Sequence, residues 1–375
     1  MSIKFTPSDG PTLGVEVELQ IVDLESRNLV PRAPELLAAV KGHPQVKTEL
    51  LQSTVELNTG ICRDVKEVKR DLMELNDLVL PLCEELGCGV ISCGTHPFST
   101  WTEQRTTEAE RYKQLVDRVQ WPAQRLMIFG LHVHVGMDSA EKAVAVFNQL
   151  SNYIPQFLAL SASSPFWQGN DTGLASVRTK VFETLPTAGL PEQLVNWGEF
   201  QTFMNTLIAA RAIESIREVW WDIRPHPGFG TVELRMCDGV ATMDELLSIA
   251  AFMHCAVVWL SEEYENGHLP PPFRHWILRE NKWRASRWGL EAQVIQDNDG
   301  NQVKNDRLIR QMTEDFIPLS KRLNCQEELM SVGEILDNGP SYLRQRKVHK
   351  RSGKLESVVD ALIEEWKTSE RVNPD

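Results

Sequence analysis

Glutamate, histidine and arginine recur at every second position in several short segments of this 375-residue chain. Glu16, Glu18 and Gln20 alternate with Val15, Val17 and Leu19, and Thr54, Glu56 and Asn58 alternate with Val55 and Leu57. His132 and His134 alternate with Leu131, Val133 and Val135. Thr231, Glu233 and Arg235 alternate with Val232, Leu234 and Met236, and Asp222 and Arg224 with Trp221 and Ile223. Successive side chains of a β-strand point to opposite faces. Each segment therefore predicts one apolar face and one face of carboxylate, imidazole, guanidinium or amide. One such strand could equally be a sheet edge with solvated glutamates. Five together, with no lysine among the polar positions, form a set that repels itself unless cations bind.

Several carboxylates with one or two imidazoles suit hard divalent ions that also hold phosphate oxygens, as Mg²⁺ does in nucleotide sites. Zinc suits the set less well, because cysteine ligands and an HExxH helix are both lacking. Arg235, two residues beyond Glu233, has the chemistry to stabilise charge on a transferring phosphoryl group; its structural alternative is a salt bridge to one of the same glutamates. No GxSxG elbow or Walker A loop offers a competing reading.

The elements that must position these groups are strands at 13–22, 53–59, 89–95, 130–136, 219–224 and 230–236. Helices are expected at about 65–86, 140–161, 199–218, 243–265, 304–323 and 354–368. Asp64 is the expected N-cap of the first, with Gly87 just past its end. Residues 243–265 carry a broad apolar stripe suited to packing on a sheet. Residues 162–191, rich in glycine and proline, read as a long loop of the kind that often serves as a lid. Residues 266–272 mark a boundary before a mostly helical C-terminal region from about 273. The whole chain, 1–375, is expected to form a single catalytic domain.

The composition is that of a globular protein, 42% hydrophobic and 24% charged, with a formal net charge of −13. That charge argues against general nucleic-acid or anionic-membrane binding. The seven cysteines include no CxxC pair and sit mostly in apolar runs, which predicts buried thiols in a reducing compartment. Residues 1–14 lack a signal-peptide core, and no uncharged apolar stretch approaches the roughly 20 residues of a membrane helix. A cytoplasmic protein is expected.

At these strands the chain resembles the second family of glutamate–cysteine ligases, carboxylate–amine ligases related to glutamine synthetase. The resemblance spans about residues 11–370. It rests on Gly14-Val15-Glu16-Val17-Glu18, Val55-Glu56-Leu57-Asn58-Thr59, Gly94-Thr95-His96-Pro97-Phe98 and Gly130-Leu131-His132-Val133-His134-Val135-Gly136. It continues through Ser164-Pro165-Phe166-Trp167, Asp222-Ile223-Arg224-Pro225-His226, Thr231-Val232-Glu233-Leu234-Arg235 and Glu280-Asn281-Lys282-Trp283-Arg284. The resemblance implies an α+β fold: a large antiparallel sheet of about six strands, curved into a half-funnel and backed by helices. It implies ATP as co-substrate, with Mg²⁺ or Mn²⁺ held by Glu16, Glu18, Glu56, His132 and Glu233, and Arg235 on the γ-phosphate. Val17 departs from the family, whose members often carry an acidic residue there. The reaction implied is phosphoryl transfer to a substrate carboxylate, then attack by an amine, with ADP and phosphate released. A homodimer is plausible by the same resemblance.

Further candidates for substrate or nucleotide contacts are His134, Arg224 and Asn58 on the strands. Arg178 in the long loop is a candidate to grip a carboxylate, or else a loop anchor. Lys282 and Arg284 could meet phosphate or carboxylate, or form a solvated helix face. His96 reads as a hydrogen-bonded turn histidine. Trp167, Trp220, Trp221, Trp283 and Trp288 read as core or pocket wall. Lys347, His349, Lys350, Arg351 and Lys354 read as a solvated interhelical turn. Two other classes compete with the ligase: a phosphagen-type kinase, which phosphorylates a guanidine, and a non-catalytic nucleotide or amino-acid sensor.

Overall fold

The computed structural model describes residues 2–269 and 271–372. Seven strands form the main sheet: β1 (Leu13–Asp23), β2 (Val46–Thr48), β3 (Thr54–Asn58), β4 (Cys88–Ile91), β5 (Gly130–Gly136), β6 (Ile223–His226) and β7 (Thr231–Asp238). Six run in the order β2-β3-β1-β5-β7-β6, and β4 pairs with the far half of β1. Every pairing is antiparallel.

The alternation read from the sequence is the alternation of the fold. Val15, Val17, Leu19, Val55, Leu57, Leu131, Val133, Val135, Ile223, Val232 and Leu234 are buried in the principal core. Full burial of each such side chain favours the fold by about 1.5–3 kcal/mol, so a one-residue slip of any strand would be strongly disfavoured. Helices α1 (Val65–Glu85), α2 (Ala140–Leu150), α3 (Ile154–Ser161) and α4 (Met243–Glu265) share this core. Asp64 caps α1 by accepting from the Glu67 N–H at 3.0 Å. By length and composition α4 could cross a membrane, yet 89% of its most apolar window is buried, as in a core helix. Ile309, Leu319, Leu329, Val332, Ile335 and Trp366 of the C-terminal helices join the same core.

Several expected boundaries move. The helix expected at 140–161 breaks at 151–153, where Pro155 opens a new helix because it lacks the N–H a continuous helix requires. Pro318 likewise divides 304–323 into Asn305–Asp315 and Ile317–Arg322. The helix expected at 199–218 runs from Trp197 to Ala209 and stops before Arg211, which takes φ 57°. The strand expected at 219–224 is displaced to Ile223–His226. Its Pro225 has no donor for a ladder, and β6 is an edge strand, where that is tolerated. In the 266–272 boundary, Pro270 lies outside the described residues.

Residues 162–191 are anchored rather than free along their first half. Buried Asp238 of β7 accepts from the Ser163 N–H (3.0 Å), Ser164 Oγ (2.6 Å) and Ser176 Oγ (2.8 Å). The N–H groups of Ala175 and Ser176 both donate to the Ser286 carbonyl. The segment also contains the short helix Arg178–Phe182.

Candidate active site

Sheet register brings the polar residues into rows. Glu16 stands opposite Asn58 on one side and His132 on the other, and Glu18 stands opposite Glu56. His134 faces Glu233, which faces Arg224. Strands far apart in sequence thus put Glu16, Glu18, Glu56, Asn58, His132, His134, Arg224, Glu233 and Arg235 on one side of one sheet. Glu56, Asn58, His132, His134, Arg224 and Glu233 are all less than 9% exposed, so solvation does not explain the face.

Two clusters emerge, each with ligand atoms within 4.8 Å of one another. The first is Glu16, His134 and Glu233. His134 donates or accepts through Nδ1 with Thr231 Oγ1 at 3.0 Å, while its Nε2 lies 3.5 Å from Glu16 and 3.7 Å from Glu233. That buried Nε2 has no hydrogen-bond partner. Arg224 holds Glu233 with Nε to Oε2 at 2.7 Å, and Arg235 contacts Glu233 Oε1. Burial opposes ionisation of Glu233, but Arg224 and Arg235 outweigh it and hold the carboxyl well below its ordinary range. Burial opposes ionisation of Glu16 too, but the His132 hydrogen bond and the nearby His134 imidazole outweigh it and lower the carboxyl. His132 reaches Glu16 at 3.2 Å, and burial pulls its imidazole down to about 4, so it is neutral at pH 7.

The second cluster is Glu18, Glu49 and Glu56. Burial raises Glu18 to about 7, against the pull of Arg178. Burial and the neighbouring Glu18 raise Glu49 to about 7 as well, and burial and Glu49 raise Glu56 well above its ordinary value. The hydrogen bonds to these groups come from neutral donors: the Gly130 N–H to Glu18, Asn58 Nδ2 to Glu56 at 2.8 Å, and the Tyr112 hydroxyl to Glu49 at 3.4 Å. Three carboxylates in one place repel one another, and a bound divalent cation relieves that repulsion. An all-oxygen set here, and two carboxylates with an orphaned imidazole nitrogen beside it, fit Mg²⁺ or Mn²⁺.

A bulge completes the geometry. Pairing of β5 with β7 shifts between Leu131 and Val133, so Arg235 and Met236 lie at the irregularity. Arg178 covers it, its guanidinium donating to the Arg235 carbonyl at 3.4 Å and the Met236 carbonyl at 3.3 Å. The backbone of β5 admits this guanidinium because residue 130 is glycine; a Cβ there would collide with Arg178 Nη2. Arg178 therefore sits in the wall beside Glu18 and anchors its own loop, while its Nε remains without a partner.

Not every predicted residue joins the sheet face. Lys282, 2% exposed, is enclosed between Asp222 and Glu183, each at 2.6 Å. It borders a separate cleft of about 950 Å³ with Lys180, Trp276 and Trp283. Arg284 binds Glu280 at 2.8 Å and the carbonyl of Gln293 at 2.8 Å, tying the hairpin 293–304 to its helix. His96 is the expected turn histidine: Nδ1 accepts from the Ser99 N–H at 3.0 Å, and Nε2 faces the Arg27 carbonyl at 3.0 Å. Trp221 is core, whereas Trp283 and Trp288 are exposed. Lys350 and Arg351 are exposed in the last turn of helix Ser341–Ser352, and Lys354 is exposed just beyond it. The residue sequence reasoning missed is Glu49, which lies in the connection between β2 and β3 and so belongs to no alternating run. No sequence signal pointed to it: that residue 49 shares the parity of Lys47, which pairs with Glu56, emerges only from the sheet register.

The model of the family described as glutamate–cysteine ligase family 2 matches residues 12–361. A Frankia alni relative carrying the name glutamate–cysteine ligase 2-1 is 48% identical over 380 residues, covering 99% of both chains. A Gloeobacter violaceus relative carrying the name glutamate–cysteine ligase 2 is 47% identical over 363 residues, covering 96% of this chain and 98% of its own. Among solved structures, the Francisella tularensis glutamate–cysteine ligase in complex with AMP superposes with a TM-score of 0.73 at 12% identity, covering 97% of this chain and 90% of that one. The Pasteurella multocida bifunctional glutathione synthetase gives 0.69 at 13% identity, covering 96% of this chain and 52% of that one. These structures share the fold: an antiparallel sheet with helices, α+β.

Proposed function

Because this chain belongs to glutamate–cysteine ligase family 2, we propose that it activates glutamate, or a similar acid, with ATP and couples it to cysteine or another amine. The broader class, an ATP-dependent carbon–nitrogen ligase, follows from membership. The observation that carries the finer reading is the close trio Glu18, Glu49 and Glu56, the first two half-buried and the last buried, whose mutual repulsion calls for a cation.

Glu16, His134 and Glu233 would hold one divalent ion, and Glu18, Glu49 and Glu56 another. Bound there, Mg²⁺ or Mn²⁺ would neutralise phosphate charge and align the reacting oxygens. Arg235 would stabilise the γ-phosphoryl group as it moves to the substrate carboxylate. The products of that step are an acyl phosphate and ADP. The amine nitrogen then forms the amide bond as the carbon–oxygen bond to phosphate breaks. Arg224 fixes the Glu233 carboxylate, and neutral His132 orients Glu16. All seven cysteines are buried free thiols, which supports the reducing cytoplasm as the compartment.

Purified protein with Mg²⁺, ATP, a panel of amino-acid donors and a panel of amines tests the reading by ADP release. Phosphate release that requires both an acid and an amine is expected. A stable phosphorylated guanidine would instead identify a kinase, and tight ATP binding without turnover across the panels a sensor.

A further inference from the structure

Three aromatic rings cluster at one end of the sheet. His134 of the first cluster lies 6.0 Å from His226, and Phe229 stacks on His226 at 4.1 Å with an interplanar angle of 12°. Phe229 also meets His134 edge-on at 5.7 Å. A lone exposed phenylalanine is ordinary on a protein surface. This one, 61% exposed, differs by being stacked on one face and held in place.

The turn joining β6 to β7 is clamped by the N-terminal segment. The Thr6 N–H donates to the Pro227 carbonyl at 3.0 Å, and Ser8 Oγ to the Gly230 carbonyl at 3.0 Å. The Phe229 N–H closes onto His226 Nδ1 at 3.2 Å. Gly230 takes φ 64°, and a Cβ there would overlap the Thr6 carbonyl oxygen, so the strap and the turn fit only with glycine. The ring is thus fixed before any ligand arrives.

We propose that the His226–Phe229 stack is the shelf on which the purine base of the nucleotide lies. The inference rests on the ligase reading, which puts the phosphates beside Glu16, His134 and Glu233. In a nucleotide the base lies one sugar beyond the phosphates, and exposure rises from buried His134 to Phe229, whose ring lies 5.7 Å from it on the solvent side. A planar π-system stacks offset on another at the spacing already used between Phe229 and His226, and a pre-fixed ring loses little entropy in doing so. Stacking is tolerant of base identity, so the shelf serves GTP nearly as well as ATP.

Calorimetric binding of Mg-ATP and of Mg-tripolyphosphate, which has no base, tests the shelf. Phe229→Ala is expected to weaken ATP binding about tenfold, the usual loss for one stacked base. Tripolyphosphate binding is expected to stay at the wild-type value, and Phe229→Trp to retain ATP. Wild-type ATP affinity in Phe229→Ala, or equal loss of both ligands, would overturn the shelf and leave the ligase reading standing. Wild-type protein that binds neither ligand would overturn both.

Discussion

The molecule buries two networks of glutamate and arginine, and they differ in balance. In the first, Arg344 grips Glu245 with both terminal nitrogens at 2.7 and 3.0 Å and reaches Glu365 through Nε at 2.7 Å. Arg371 adds a second contact to Glu245 at 3.1 Å. Two guanidiniums meet two buried carboxylates there, with exposed Glu334 a further partner of Arg371 at 2.8 Å, and the network ties the C-terminal helices to α4. On the sheet face, Glu16 and Glu233 are matched by imidazole and guanidinium, but Glu18, Glu49 and Glu56 have only neutral donors in contact. A network that closes its own charge serves the fold. One that leaves negative charge over is built for something that arrives later.

Glutamine substitutions should separate the two. Glu18→Gln is expected to cut ATP turnover about a thousandfold, the scale for losing one preorganised charged contact to a reacting phosphoryl group. The same change should stabilise the metal-free protein. Glu18 is raised from 4.5 to about 7 in the fold, so between those values the folded chain binds more protons than the unfolded one. Metal-free stability is therefore full below 4.5 and falls as pH rises through 7. Removing a partly buried charge at pH 8 should recover about 1–2 kcal/mol, read from urea midpoints in the presence of a chelator. A destabilised Glu18→Gln protein with normal turnover would break the comparison.

Glu245→Gln should do the opposite. Leaving Arg344 and Arg371 short of a buried partner is expected to cost about 3 kcal/mol, with turnover per folded molecule unchanged. Thermal melts alongside steady-state rates check both halves.

His96 sharpens the contrast with a group buried in its neutral form. Its Nδ1 already accepts a backbone N–H, so protonation would place two donors face to face. Burial holds it near 3, below its ordinary 6.5. The unfolded chain binds the extra proton between those values, so this contribution is intact above 6.5 and declines on acidification toward 3. The slope is about 1.4 kcal/mol per pH unit within that window. Comparing urea midpoints at pH 7 and pH 5.5 for wild type and His96→Gln should show the variant losing less; equal losses would contradict a neutral His96.

The sheet and most of its polar face were legible because strand periodicity is strict: Glu16, Glu18, Glu56, His132, His134 and Glu233 needed only their parity to be placed. The family resemblance supplied the fold around them. Glu49 was not legible, since a connection has no parity rule. Lys282 and Arg284 show the limit of reading charge by type. Whether a cation faces a ligand or a neighbouring carboxylate is decided by helix packing across 60 residues or more, and Lys282 found Asp222 and Glu183. Helix ends moved at Pro155 and Pro318, whereas Pro81 sits inside α1 without breaking it.

The strap formed by Thr6 and Ser8 carries a consequence for how the molecule is made. Its partners at Pro227 and Gly230 are synthesised more than two hundred residues later. During translation β1 can pair early with β3 and β4, but the turn bearing Phe229 does not yet exist, and such distant pairings are slow to form. The turn bearing Phe229 therefore takes its final shape only after synthesis has passed residue 230, well after β1, β3 and β4 can pair.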